Sequence, residues 1–286
     1  MQSHNPLTPK HFSINCKGTL LSLKIPVVMG ILNTTPDSFY DGGKFNSIEH
    51  ALYQTEKMLN DGASIIDIGG YSSRPGAETV DIEEELNRVI PVIEKIHSKF
   101  PDAILSIDTF RAKVAKNAIN AGASIVNDIS AGDDDPEMIA TVGKLGVPYI
   151  AMHKQGTPKT MQQNPNYNNV TTEVLDYFIK KIQQYRAVGI NDVIIDPGFG
   201  FGKNLEHNYS LLKSLAAFKM LDYPILVGVS RKRMINEVLT ISAKDALNGT
   251  TVINTIALIN GANILRVHDV KEAIETVKII NAYTLF

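Results

Sequence analysis

Eight short, almost unbroken apolar runs recur along the chain, most of them followed by a stretch with helical spacing. The runs are "VVMGIL" from Val27, "GASIIDIGG" from Gly62, "AILSID" from Ala103, "GASIVNDIS" from Gly122, "VPYIAMH" from Val147, "DVIIDPG" from Asp192, "PILVGVS" from Pro224 and "GANILRVHD" from Gly261. A strand that is apolar on both of its alternating faces is covered on both, as in a parallel sheet with helices outside it. The intervening patterns supply those helices, among them "SIEHALYQTEKMLNDG", "IEEELNRVIPVIEKIHSKF", "RAKVAKNAINAG", "TTEVLDYFIKKIQQYRAVG" and "KEAIETVKIINAY". Three of the runs open on Gly-Ala, as a helix C-cap leading into a buried strand does. Strict β-then-α alternation, eight times in 286 residues, has the count and size of a (β/α)8 (TIM) barrel, with a doubly wound open sheet as the alternative. Ahead of the first run, "FSINCKGTLLSLK" alternates in polarity around Lys17-Gly18 and predicts a β-hairpin closing the amino-terminal mouth of the barrel. No linker or low-complexity tract breaks the pattern, so residues 1–286 are expected to form a single domain.

Composition excludes several classes of function. With 44% apolar and 20% charged residues the chain is ordinary globular material, and a net charge of −2 offers no global basic surface to nucleic acid. The start "MQSHNPLTPK" lacks the basic-then-apolar layout of a signal peptide, and no apolar run has the length of a membrane span. The lone Cys16 rules out an intramolecular disulfide and reads as a small buried hydrophobe; the cytoplasm is the expected compartment.

In a (β/α)8 barrel the loops after the strands build the active face. Those ends carry Asn33, the segment Gly69 to Arg74, Asp108, Asn127, His153, Asp196, Ser230 with Arg231 and Lys232, and Arg266 with His268. Any one of them alone can be a cap or a loop tie, but nearly every strand ends this way at one mouth. Asp108, Asn127 and Asp196 form a donor and acceptor set suited to the edge of a flat nitrogen heterocycle. The cationic groups gather on later strands. Arg266 and His268 stand two apart and share a face, and such groups inside an apolar run call for an anion. A heterocycle joined to a phosphate answers both halves.

Other motifs lead nowhere or stay open. "GFGFGK" is not a phosphate-binding P-loop, because Pro197 stands where that loop needs glycine and Asn204 where it needs Ser or Thr. Gly198, Gly200 and Gly202 also miss the dinucleotide spacing. Phe199 and Phe201 either face a planar substrate or pack. "SRKRMI" opens a helix whose free N–H groups favour an anion, or it is a solvated basic turn. His153 has no His or Cys at ligand spacing, so a zinc cage is not expected.

The segments "MGILNTTPDSFYDGG", "DIGGYSSRPGA", "SIDTF", "NDIS", "DPGFGFGKNLEHNYSLL", "GVSRK" and "RVHDV" resemble, in order and across the chain, the signatures of the dihydropteroate synthase family. The resemblance implies a (β/α)8 barrel that joins 6-hydroxymethyl-7,8-dihydropterin pyrophosphate to 4-aminobenzoate in folate synthesis. It also implies a sulfonamide target, a magnesium requirement and a homodimer. Asp108, Asn127, Asp196 and Lys232 would hold the pterin; Asn33, Arg74, Arg266 and His268 the pyrophosphate, with Asn33 on the magnesium ion. Asp37 belongs to the same first loop as Asn33. Ser73, Pro75, Phe201, Lys232 and Arg233 would form the aminobenzoate site, and Asp108, Arg266 and His268 would act in catalysis. Magnesium-assisted departure of pyrophosphate before attack by the amine is the implied order, and no general base is assigned.

The sequence departs from the pattern at Tyr71 and Ser73, where the family commonly has Glu and Thr, at Lys154 and Gln155, and at Arg233, where serine is usual. Competing readings are a pterin methyltransferase barrel, a non-catalytic pterin-binding module and a Schiff-base aldolase. The first needs no pyrophosphate clamp and the second is expected to have lost a charged group. The third needs a strand lysine, whereas Lys203 and Lys232 lie in loops.

Overall fold

All eight apolar runs are parallel strands of one sheet. The computed structural model describes residues 12–34, 43–71, 80–156, 161 and 165–285. Its barrel strands are β3 Val27–Asn33, β4 Ile65–Gly69, β5 Ile104–Asp108, β6 Ile125–Asp128, β7 Tyr149–Met152, β8 Val193–Asp196, β9 Leu226–Val227 and β10 Ile264–Val267. They pair in the order β8-β7-β6-β5-β4-β3-β10-β9, and an isolated parallel bridge between Ile195 and Ile225 joins the two ends. The Ile195 N–H donates to the Pro224 carbonyl at 3.0 Å across that seam. The sheet is therefore a barrel and not the open alternative.

Among the described residues the helices are α1 Gly43–Asn60, α2 Ile82–Lys99, α3 Ala112–Ala121, α4 Met138–Leu145, α5 Val170–Ala187, α6 Leu205–Lys213, α7 Arg233–Leu239, α8 Leu247–Ile259 and α9 Val270–Leu285. The Gly-Ala phrases work as expected. Gly62, Gly122 and Gly261 take φ near +104°, +124° and +102°, a region open to glycine. The alanine N–H that follows each reaches back into the helix, Ala123 to the Ala118 carbonyl at 3.0 Å for example.

The hairpin is β1 Ser13–Cys16 with β2 Thr19–Ser22, turned by Lys17 and Gly18, both at positive φ as the twist of a tight hairpin requires. Its Ile14 and Cys16, with Leu23, pack against Met29, Ile65, Ile104, Ile125, Ile150, Ile194, Leu226 and Ile264, one side chain from each barrel strand. That layer is the barrel floor. Burial there pushes the Cys16 thiol up to about 12, so it stays a neutral hydrophobe.

Candidate active site

Side chains two apart on a strand share a face, so the next inward layer above the floor follows by counting. From Ile65 it reaches Asp67, from Ile104 Ser106, from Ile125 Asn127, from Ile194 Asp196 and from Ile264 Arg266. One step of the pleat thus turns the interior polar on five of the eight strands, the other three supplying Ile31, Met152 and Gly228. At its centre Arg266 Nε donates to Asp67 Oδ2 at 2.6 Å and Nη2 donates to Asp108 Oδ2 at 2.6 Å. The Asn127 amide donates to the same Asp67 oxygen at 3.0 Å. Asp67 Oδ1 and the Ser106 hydroxyl, both buried, have no hydrogen-bond partner among the described residues.

Crowding carboxylates here has electrostatic consequences. Burial raises the Asp108 carboxyl; Arg266 opposes that, while Asp67, Glu85 and Asp128 add to it. Burial also raises Asp196, against the pull of Lys232 and the Gly198 N–H, and lowers the Lys232 ammonium to about 8. Burial works against the Arg266 charge, but Asp67 and Asp108 outweigh it and hold the guanidinium firmly protonated.

The loops place the rest. After β8, Asp196 Oδ1 accepts from the Gly198 N–H at 2.8 Å. The Lys232 ammonium donates to the Phe199 carbonyl and lies 4.6 Å from the centre of the Phe201 ring. The two phenylalanines divide the roles open to them: Phe199 is fully buried in the outer core, and Phe201 lies beside the site lysine. After β9 and β10, Ser230 Oγ lies 3.0 Å from His268 Nδ1, and Arg231 grips Asp269 with two bonds of 2.8 Å. His268 is exposed at the rim, and Asn33 ends β3 opposite Gly69.

Asp108, Asn127, Asp196, Lys232 and Arg266 thus come together, with Phe201 beside Lys232. Arg266 differs from expectation in one respect: the protein's own Asp67 and Asp108 answer its charge. Arg233 does not join the cluster. It is the first residue of α7, its side chain is 78% exposed, and it pairs one turn on with Glu237 at 3.0 Å, so its expected contact to aminobenzoate has no geometric support. Lys154 is drawn to Asp134, and Gln155 makes two 3.1 Å bonds with the Asn166 backbone, so both departures tie loops. Tyr71 stands edge-on to Phe110 with ring centres 5.4 Å apart. Ser73, Arg74, Pro75 and Asp37 lie outside the described residues. Asp67 is the member of the cluster that the sequence reading missed, since it lies inside a strand and the reading followed strand ends.

The sequence matches the model of a family described as "Pterin binding enzyme" over residues 29–268, from the first barrel strand to His268. The chain belongs to this family. It is 47% identical over 268 residues to the dihydropteroate synthase of Escherichia coli (strain K12), covering 93% of this chain and 94% of that one. The barrel superposes on the Yersinia pestis dihydropteroate synthase in complex with a sulfonamide drug, with a TM-score of 0.89, 43% identity and coverage of 96% and 99%. It superposes equally well on the Xanthomonas albilineans dihydropteroate synthase with 4-aminobenzoic acid, with a TM-score of 0.90, 38% identity and coverage of 97% and 100%. Membership of a pterin-binding family accounts for a polar layer of carboxylates and an amide in a barrel otherwise floored with isoleucine. None of the described helices is long and apolar enough to cross a membrane.

Proposed function

We propose that the chain is a dihydropteroate synthase, joining 6-hydroxymethyl-7,8-dihydropterin pyrophosphate to 4-aminobenzoate and releasing pyrophosphate. The observation that carries the reading is the inward polar layer in which Asp67, Asn127 and Arg266 form one connected set that Arg266 extends to Asp108, one step further along β5, with Asp196 in the same layer. Carboxylate and amide oxygens there accept from the ring N–H groups of a pterin, and Lys232 donates to its acceptors. When the carbon–oxygen bond to pyrophosphate breaks, the electron pair leaves with the pyrophosphate and positive charge spreads into the electron-rich ring. Asp108, held beneath that ring, stabilises the cation. The neutral amine of aminobenzoate then forms the carbon–nitrogen bond and loses its proton to solvent. Phe201, beside Lys232, offers a face for the aminobenzoate ring; Ser73 and Pro75 belong to the same proposal.

Two donors of Arg266 are engaged by Asp67 and Asp108, so its remaining N–H groups, with His268 at the rim and Arg74, are the proposed partners of the leaving pyrophosphate. Magnesium, when bound, neutralises pyrophosphate oxygens. Among the described residues no three His, Cys, Asp or Glu side chains form a cage for a metal ion. A lone amide such as Asn33 at a strand end fits an ion that keeps water and substrate oxygens as its other ligands.

Homodimerisation is part of the proposal. The helix α8 carries no charged residue and leaves Val252, Ile256 and Ile259 exposed at 50%, 37% and 58%, a stripe at helical spacing that a second copy would cover. The cytoplasm is the proposed compartment, with Cys16 a buried thiol. Mass spectrometry of a reaction containing both substrates and magnesium tests the activity: 7,8-dihydropteroate is expected, and its absence would sink the reading.

A further inference from the structure

Lys203 is 2% exposed, and no step of the proposed reaction uses it. We propose that Lys203 is a positioning residue, clamping the turn between β8 and α6 onto the end of β7 and so fixing the pocket wall made by Asp196, Phe201 and Lys232. The turn lies extraordinarily close to the segment after β7. A Cβ on Gly198 would stand 1.8 Å from the His153 carbonyl oxygen, and one on Gly202 would stand 2.3 Å from that of Gln155. Both glycines also have positive φ, near +75° and +63°.

Such an approach of two backbones gathers acceptors at one buried point. The Lys203 Nζ lies 3.0 Å from the Gly198 carbonyl, 3.2 Å from that of Phe201 and 3.0 Å from His153 Nδ1. An ammonium has three N–H donors, and these are its three nearer acceptors, with the His153 carbonyl a fourth at 3.5 Å. His153 then accepts at Nδ1 and carries its proton on Nε2, in keeping with burial and the Lys203 charge holding that imidazole neutral. The same turn makes every contact through which it reaches the site: the Gly198 N–H to Asp196, the Phe199 carbonyl to Lys232 and the Phe201 ring beside Lys232. Without the ammonium, the Phe201 carbonyl and His153 Nδ1 lose their donor at a buried point, and the turn carrying those contacts relaxes.

The inference rests on the pterin-binding reading above. Its test is Lys203→Met, which keeps the volume and removes the donors. The measurements are the calorimetric dissociation constant for 6-hydroxymethylpterin and the steady-state kcat and KM for aminobenzoate. A roughly tenfold weaker pterin affinity and a similar rise in KM are expected, equivalent to about 1.4 kcal/mol each, with a smaller change in kcat and unfolding still cooperative. Affinity and KM within twofold of wild type, with only the melting temperature lowered, would reduce Lys203 to a structural residue and overturn the inference. If Lys203→Met does not fold, His153→Phe carries the test, since it keeps the ring contacts to Tyr167 and Tyr177 and removes one acceptor. There roughly a threefold loss of pterin affinity is expected, and none would overturn the inference. A wild-type protein that binds no pterin overturns the reading beneath it, and the inference with it.

Discussion

Arg266 on β10 and Asp67 on β4, 199 positions apart in the chain, meet at 2.6 Å inside the barrel. The contact makes Asp67 the partner that allows a guanidinium to sit above an isoleucine floor. Arg266→Met should therefore destabilise the fold by about 3 kcal/mol, because it strands carboxylates that are mostly shielded from water. Adding Asp67→Asn should return part of that stability without returning activity. Urea unfolding of the two single variants and the double variant reads the coupling; strictly additive losses would mean that the pair does not interact.

The Asp108 carboxyl is raised from an ordinary 3.8 to about 7 by burial, with Arg266 opposing the rise. An acid whose folded value lies above its unfolded one binds its proton more tightly when folded. Its contribution to stability is then largest at acid pH and falls as pH rises between about 4 and 7. Catalysis should run the other way, since only the carboxylate stabilises a ring cation: kcat should climb with pH through the same window. Asp108→Asn should abolish that limb of the profile. An unchanged profile in the variant would assign the titration to another group of the cluster.

Asp196→Asn should weaken pterin binding by roughly 1 to 3 kcal/mol. One carboxylate oxygen is already taken by the Gly198 N–H, so an asparagine that keeps its oxygen there turns its NH2 toward the ring N–H donors. Calorimetry with a pterin measures the loss, and an unaltered affinity would remove Asp196 from the pocket.

Arg233→Ser should leave the ratio of aminobenzoate to sulfonamide affinity unchanged and alter stability by no more than about 0.5 kcal/mol, because the arginine is exposed and its partner is Glu237. A ratio that shifts toward the sulfonamide in the variant would show that the guanidinium reaches the carboxylate in the complex. Competitive inhibition assays at two salt concentrations supply the comparison.

The barrel was legible in the sequence because strands covered on both faces are apolar throughout and because Gly-Ala repeatedly marks a helix end. Strand ends led directly to Asp108, Asn127 and Asp196. Asp67 escaped because a carboxylate flanked by Ile66 and Ile68 reads as one polar residue in an apolar run; counting in twos from Ile65 would have found it. Lys203 escaped for another reason. Its burial arises from two backbones meeting at Gly198 and Gly202, a contact between segments distant in sequence. The sequence shows a cation at Arg233, but an adjacent Glu237 one turn away decides where it points.

In the proposed reaction one mouth holds a pterin, directs its pyrophosphate outward and delivers the carbon to an amine. The most direct measurement follows pyrophosphate release from the dihydropterin substrate with magnesium, in the presence and absence of 4-aminobenzoate, alongside the dihydropteroate formed. Sustained release is expected only with the amine, with one dihydropteroate for each pyrophosphate. Release at the same rate without aminobenzoate, or none with it, would rule out the proposed synthase reaction.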